Sequence, residues 1–320
     1  MSVFYPTLNQ MGFLFSLIII GFILAKCGAI PQTAAGILSK LENSLFIPAL
    51  VLGTFMKNFT VEKLSSFNAS LFTSIAVLAV TLPAGLLLSR LCSKDDYIRK
   101  LYVYGLVFPN FGFMGNAVVS AVFPDIFMEY LIFTLPLWTA IYVWGVPSLL
   151  IPSEEKKRNI RSRLKPLLNP MFICLIIGMA MGISGIKVPG FISSVITVSG
   201  DCMSPIAMLL TGITVAGIDF KKTFADKGIY IASVLRLLLI PLVFIGILYL
   251  LRLSPLPKLP QPAVICTVCS LAMPLGLNTI VVPGAYGKDT SAAAGMAIVS
   301  HLLSCITIPA MFPLMSEILL

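Results

Sequence analysis

Charge is what this sequence has least of. Only 11% of its 320 residues are Asp, Glu, Lys or Arg, and 13 of them are acidic. A water-soluble domain carries about a quarter charged residues, so the composition excludes a soluble globular fold for the bulk of the chain. Histidine occurs once, at His301, and there is no HExxH, no GxSxG, no phosphate-cradling glycine loop and no carboxylate pair within an apolar run. Those absences argue against an intramembrane protease, an ATP-driven pump and a resident metal or other cofactor, and the expectation is a protein that is not an enzyme. The seven Cys fall mostly in apolar runs, and Cys266-x-x-Cys269 has no second pair, so they read as small packing residues. A basic stretch before the first apolar run is also missing, so the first span is expected to remain rather than be cleaved as a signal peptide.

What is abundant is hydrocarbon. Hydrophobic residues make up 58% of the chain, and the mean hydropathy is +0.99. Taking roughly 20 apolar residues per span, the sequence divides into ten: about 11–29, 41–57, 69–91, 100–123, 127–150, 168–186, 202–219, 228–251, 261–286 and 292–316. The expected fold is therefore an all-α polytopic membrane protein in a cell (plasma or inner) membrane, with the lipid bilayer as its first partner. The net charge of +9 does not imply nucleic acid, because its distribution follows the membrane. With both termini outside, sixteen Lys and Arg fall on the inner side, including the run Lys156–Lys165. Five (Lys57, Lys63, Lys187, Arg252 and Lys258) fall outside, and Arg236 lies within a span. The positive-inside rule selects that orientation.

Proline marks an internal repeat. Pro31 and Pro189 lie 158 positions apart, Pro48 and Pro205 157, Pro83 and Pro241 158, and Pro109 and Pro274 165, each pair in a similar apolar setting. The expected organisation is a first five-helix repeat over 1–152, a basic cytoplasmic linker over 153–167 and a second repeat over 168–320. An odd number of spans per repeat makes the second an inverted copy of the first, a plan found in many secondary transporters.

Two spans cannot be continuous helices. The fourth contains Phe108-Pro109-Asn110-Phe111-Gly112-Phe113-Met114-Gly115-Asn116, and the ninth contains Met273-Pro274-Leu275-Gly276-Leu277-Asn278, with a second break expected near Pro283-Gly284. Proline removes a backbone donor and clashes with the preceding turn, and glycine weakens what remains. Broken backbone at bilayer depth is tolerated only inside protein or along a wet cavity, and paired breaks in the two halves point to a transporter's binding site. Half-helix N-termini meeting there would favour a carboxylate. The candidate substrate-binding residues are Pro109, Asn110, Gly112, Asn116, Pro274, Gly276 and Asn278. For Asn116 and Asn278, satisfying frayed backbone is an equal reading, and for the glycines so is close helix packing. Metal ligands: none.

Four more residues are candidates for ion coupling or charge compensation: Asn43, Asp201, Arg236 and His301. A charge at the centre of a span costs about 2.5–3.5 kcal/mol, so Asp201 and Arg236 need partners, and each other is one option; a helix cap is another for Asp201. His301 reads first as a hydrogen-bonded packing residue and second as a proton relay. Glu42, Asp125, Glu129, Asp219, Asp289 and Glu317 read as solvated span ends.

The pattern resembles the auxin efflux carrier family and its bacterial malate and malonate permeases over essentially the whole chain. The resemblance is carried by Asn110-x-Gly112-x-x-Gly115, Asn169-Pro170, Pro205 with Gly212, and Pro274 followed by Tyr286 and Asp289. The sequence departs from the plant Asn-Pro-Asn-x-Tyr motif, with Phe108 and Gly112 in the flanking places, and has Ala117 where bacterial members carry proline. The resemblance implies ten spans in a five-plus-five inverted repeat with crossing fourth and ninth helices. It also implies alternating-access export or exchange of small organic anions. A more distant likeness to bile-acid sodium symporters leaves coupling to H+ or Na+ open, and a homodimer is a further possibility through the small-residue face Gly178-Met179-Ala180-Met181-Gly182. The competing reading is a membrane sensor that binds a carboxylate without moving it.

Overall fold

The computed structural model describes residues 3–60, 64–151, 170–186, 188–217, 224–276, 278–285, 288–289 and 291–320. The expected linker, Asn169 and Tyr286 lie outside these residues. Among them there is no β-strand, and the helices are α1 (Phe4–Lys26), α2 (Ala34–Asn58), α3 (Leu64–Cys92), α4 (Asp96–Val107), α5 (Phe111–Val122) and α6 (Pro124–Leu150). They continue with α7 (Pro170–Ser184), α8 (Gly190–Ala216), α9 (Lys227–Leu253), α10 (Gln261–Leu271), α11 (Asn278–Ala285) and α12 (Ser291–Leu319). Seven helices among the described residues are long and apolar enough to cross a membrane; α5, α7 and α10 are apolar but shorter. The shortfall from ten has a local cause in two places, where an expected span is split by a proline: α4 and α5 at Pro109, α10 and α11 at Pro274.

The segments follow from their caps. The Asp95 side chain caps α4 by accepting the Ile98 N–H at 2.8 Å. That helix stops at Phe108 (φ −112°, ψ 95°), because a residue preceding proline is pushed out of the helical region. Not every proline breaks its helix. Pro48, Pro147 and Pro241 are accommodated by wide π-turns at Glu42–Phe46, Ile141–Leu150 and Leu235–Leu239, a known way to absorb a missing donor. Pro283 sits inside α11, which ends two residues later at Ala285. Helix α8 begins at Gly190, twelve residues before the expected seventh span, which puts Asp201 within the helix rather than at its cap.

Packing sorts the helices into two bundles. In one, α1 lies along α8, and α2 lies along α7 and α8. Backbones approach closely there: a side chain at Gly21 would strike Leu209, and one at Gly212 would strike Ile18, the small-residue packing that lipid favours. Gly178 and Gly182 are used the same way against Phe55 of α2 and Phe59 just past its end, so those two glycines are taken up within the chain. In the other bundle, α3, α4, α6, α9, α10 and α12 surround the two breaks. The bundles meet where α1 touches α5 and α12, α8 touches α5, and α2 touches α6. Gln10 Nε2 of α1 donates across this seam to Ala117 O at 3.2 Å.

Burial is concentrated at the breaks. Every residue of Leu101–Val107 and Ala263–Leu271 is buried. Large apolar side chains on the perimeter are open, among them Phe72, Phe191 and Ile306, each more than 70% exposed. An aqueous protein does not present so much apolar surface. This is a multi-pass membrane protein whose outer face is made for lipid.

Candidate functional site

The two broken helices touch at their breaks. Pro109 and Leu275 form an isolated antiparallel bridge, and the Asn110 N–H donates to Pro274 O at 2.7 Å. Gly276 lies across this contact, its Cβ position 3.5 Å from Phe108 O and 3.6 Å from Pro109 O. Four helix ends are thus gathered at one point: the C-termini of α4 and α10 and the N-termini of α5 and α11.

Such a crossing leaves backbone groups that lipid cannot satisfy, and side chains from α9 and α12 take them up. Arg236, in the π-turn of α9 and fully buried, donates from Nη1 to Leu106 O (2.9 Å), from Nη2 to Leu271 O (2.7 Å) and from Nε to Met273 O (3.2 Å). Its partners are therefore the orphan carbonyls of both C-termini, and Asp201 is not among them. On α12, Ser300 Oγ accepts the Leu275 N–H at 3.2 Å. His301 Nε2 lies 3.3 Å from Asn110 Nδ2, while its Nδ1 lies 2.7 Å from Ala297 O. A carbonyl can only accept, so Nδ1 carries the proton and Nε2 accepts from the Asn110 amide. That fixes the Asn110 oxygen toward α5, where it accepts the Met114 N–H at 3.5 Å and caps the helix.

The expected substrate residues divide into two groups. Pro109, Asn110, Pro274 and Gly276 are the crossing itself. Gly112 and Gly115 are glycines because Trp138 and Tyr130 of α6 lie where their side chains would be; the Trp138 ring also meets Phe111 edge-on at 5.0 Å. Asn278 stands a turn away, half-buried, and donates to Tyr104 Oη at 3.0 Å, fastening α11 to α4. Asn116 is buried, and its Oδ1 has no partner. It faces a narrow cleft between the bundles, closed by Val51, Phe55, Trp138 and Leu175. Above that cleft, toward the end of α2, the seam widens into a cavity of about 330 Å³ whose lining includes Thr54, Lys57, Asn58, Asp125, Thr197 and Asp201.

Asn43 and Asp201 are not at the crossing. Both are exposed, and Asn43 Nδ2 donates to Ser39 O of its own helix at 2.7 Å. Two acids expected at solvated ends are instead buried: Glu42, with neither carboxyl oxygen partnered, and Glu129, with Oε2 unpartnered. Both errors come from span boundaries, since α2 starts at Ala34 and α6 at Pro124, several residues earlier than hydropathy suggests. Among the described residues no group of three or more His, Cys, Asp and Glu could hold a metal ion.

Electrostatically, the crossing is lopsided. Helix C-termini carry partial negative charge and N-termini partial positive charge. The guanidinium of Arg236 offsets the former, while the N-termini of α5 and α11 keep theirs. Compared with known proteins, a family model described as "Membrane transport protein" matches residues 6–312. No curated protein matches the chain.

Proposed function

The chain belongs to the auxin efflux carrier family of membrane transport proteins, and from that premise we propose that it is a secondary transporter of small organic anions, bound where the two broken helices cross. The observation that carries this reading is the charge balance just described. Arg236 is bonded to the carbonyls of both C-terminal ends, which leaves the partial positive charge of two helix N-termini without a charged partner among the described residues, α5 having only its neutral Asn110 cap. That arrangement suits a carboxylate. Asn116 Oδ1, unpartnered and facing the seam, is a polar contact available to a hydroxyl or a protonated acid.

The rest of the reading concerns movement. Support for a five-plus-five inverted repeat comes from reciprocal packing: α1 lies on α8 as α7 lies on α2, and α3 lies on α6 as α9 lies on α12. In this scheme the four-helix bundle rocks against the bundle holding the crossing, so that the seam between α2 and α6 opens to one side at a time. The 330 Å³ cavity is then a vestibule on that route. An inside-negative potential favours export of an anion by about 2.3 kcal/mol per charge per 100 mV, roughly a 50-fold gradient, so efflux from the cytoplasm across the cell membrane needs no coupling ion.

A counterflow screen tests the proposal. Purified protein in liposomes, with voltage clamped by potassium and valinomycin, is offered malate, malonate, succinate, lactate and indole-acetate. Saturable counterflow of at least one carboxylate is expected. Tight binding without counterflow would instead establish a sensor.

A further inference from the structure

We propose that the carbonyls gathered at the crossing are an alkali-cation site whose occupant is the chain's own Arg236, so that the native protein needs neither Na+ nor K+ there. Leu106 O comes from one broken helix, and Leu271 O and Met273 O come from the other. Backbone carbonyls converging from two unwound helices are what transporters use to hold a monovalent cation. Here all three are bonded to one guanidinium at 2.7–3.2 Å.

Three features make this substitution of an ion rather than ordinary packing. Arg236 is completely buried, yet its partners among the described residues are the three carbonyls and no carboxylate. Its charge is therefore balanced by helix-end dipoles, as a bound cation's would be. It springs from the π-turn Leu235–Leu239 ahead of Pro241. It also joins ends of two separate helices, so the crossing loses its central bonds if the charge is absent. A free ion would leave and return with each cycle, whereas a tethered one stays. The cation requirement is thereby removed from the transport cycle, whichever anion is carried.

The test is thermal unfolding of purified protein in detergent, in chlorides of Na+, K+, Li+ or choline at equal ionic strength. The native protein is expected to unfold at the same temperature in all four. Arg236→Ser, with the carbonyls exposed to a small cavity, is expected to gain several degrees in at least one alkali chloride over choline, and to be rescued by millimolar guanidinium. Arg236→Lys, which keeps a tethered cation, is expected to show no alkali response. A folded Arg236→Ser indifferent to every ion overturns the proposal, as does an alkali response in Arg236→Lys. Should Arg236→Ser not fold, flux by the native protein decides. Equal counterflow with choline replacing Na+ and K+ on both sides, at zero imposed voltage, supports the proposal, and dependence on either ion overturns it. Failure of the anion reading would show separately, as absent counterflow in every salt.

Discussion

Removing the Asn110–His301 contact tests whether α12 holds the crossing together. His301→Ala deletes a buried ring that touches Asn110 Nδ2 at 3.3 Å and Ala297 O at 2.7 Å. The lost hydrogen bonds and the cavity together cost about 2–4 kcal/mol. Asn110→Ala removes the same contact and also the cap on α5, for about 1–2 kcal/mol. Interhelical hydrogen bonds inside membranes are worth about 0.6 kcal/mol on average and up to about 1.7, so the double variant should be less destabilised than the two losses together by an amount in that range. Unfolding in mixed micelles with increasing dodecyl sulfate gives all four free energies. Tryptophan emission is a suitable signal, because the two tryptophans, Trp138 and Trp144, lie against Phe111 and Phe108 with ring centroids 5.0 and 6.3 Å apart. A coupling below about 0.3 kcal/mol, the usual limit of additivity for independent sites, would show that the contact is a neighbourly accident and that α12 does not brace the break.

Three more outcomes follow from the same geometry. Ser300→Ala strips the Leu275 N–H of its acceptor and should cost about 1–3 kcal/mol, with increased amide exchange at Leu275 as the local readout. Gly112→Ala drives a methyl into the Trp138 ring and should lower stability by about 1–3 kcal/mol; adding Trp138→Leu should recover part of that loss, and a second substitution that only adds damage would contradict the contact. Asn116→Ala deletes a buried acceptor that has no partner, so it should leave the unfolding temperature unchanged or raised while reducing counterflow; parallel loss of both would assign Asn116 to structure alone.

The sequence announced the breaks because proline and glycine act through backbone geometry, which needs no knowledge of neighbours: Pro109 and Pro274 each end a helix wherever that helix lies. What holds the crossing was not readable. The partners of Arg236 are carbonyls at Leu106, Leu271 and Met273, and a carbonyl has no residue signature, so a search for a carboxylate led to Asp201, an exposed residue in another bundle. The advance signal for Arg236 was a charge within an apolar span, which demands a partner without saying which. Glu42 and Glu129 were misplaced because polar residues such as Ser39 and Lys40 dilute hydropathy at span ends while helices continue through them.

The account rests on cargo binding at the bridge between Pro109 and Leu275. Counterflow of the best carboxylate from the screen should be measured for the native protein and for Asn110→Ala and Pro274→Leu, reconstituted at equal density with insertion checked by protease protection. Flux should fall to the level of empty liposomes in both variants while insertion matches the native protein. Normal saturable flux through both would place the anion's path elsewhere.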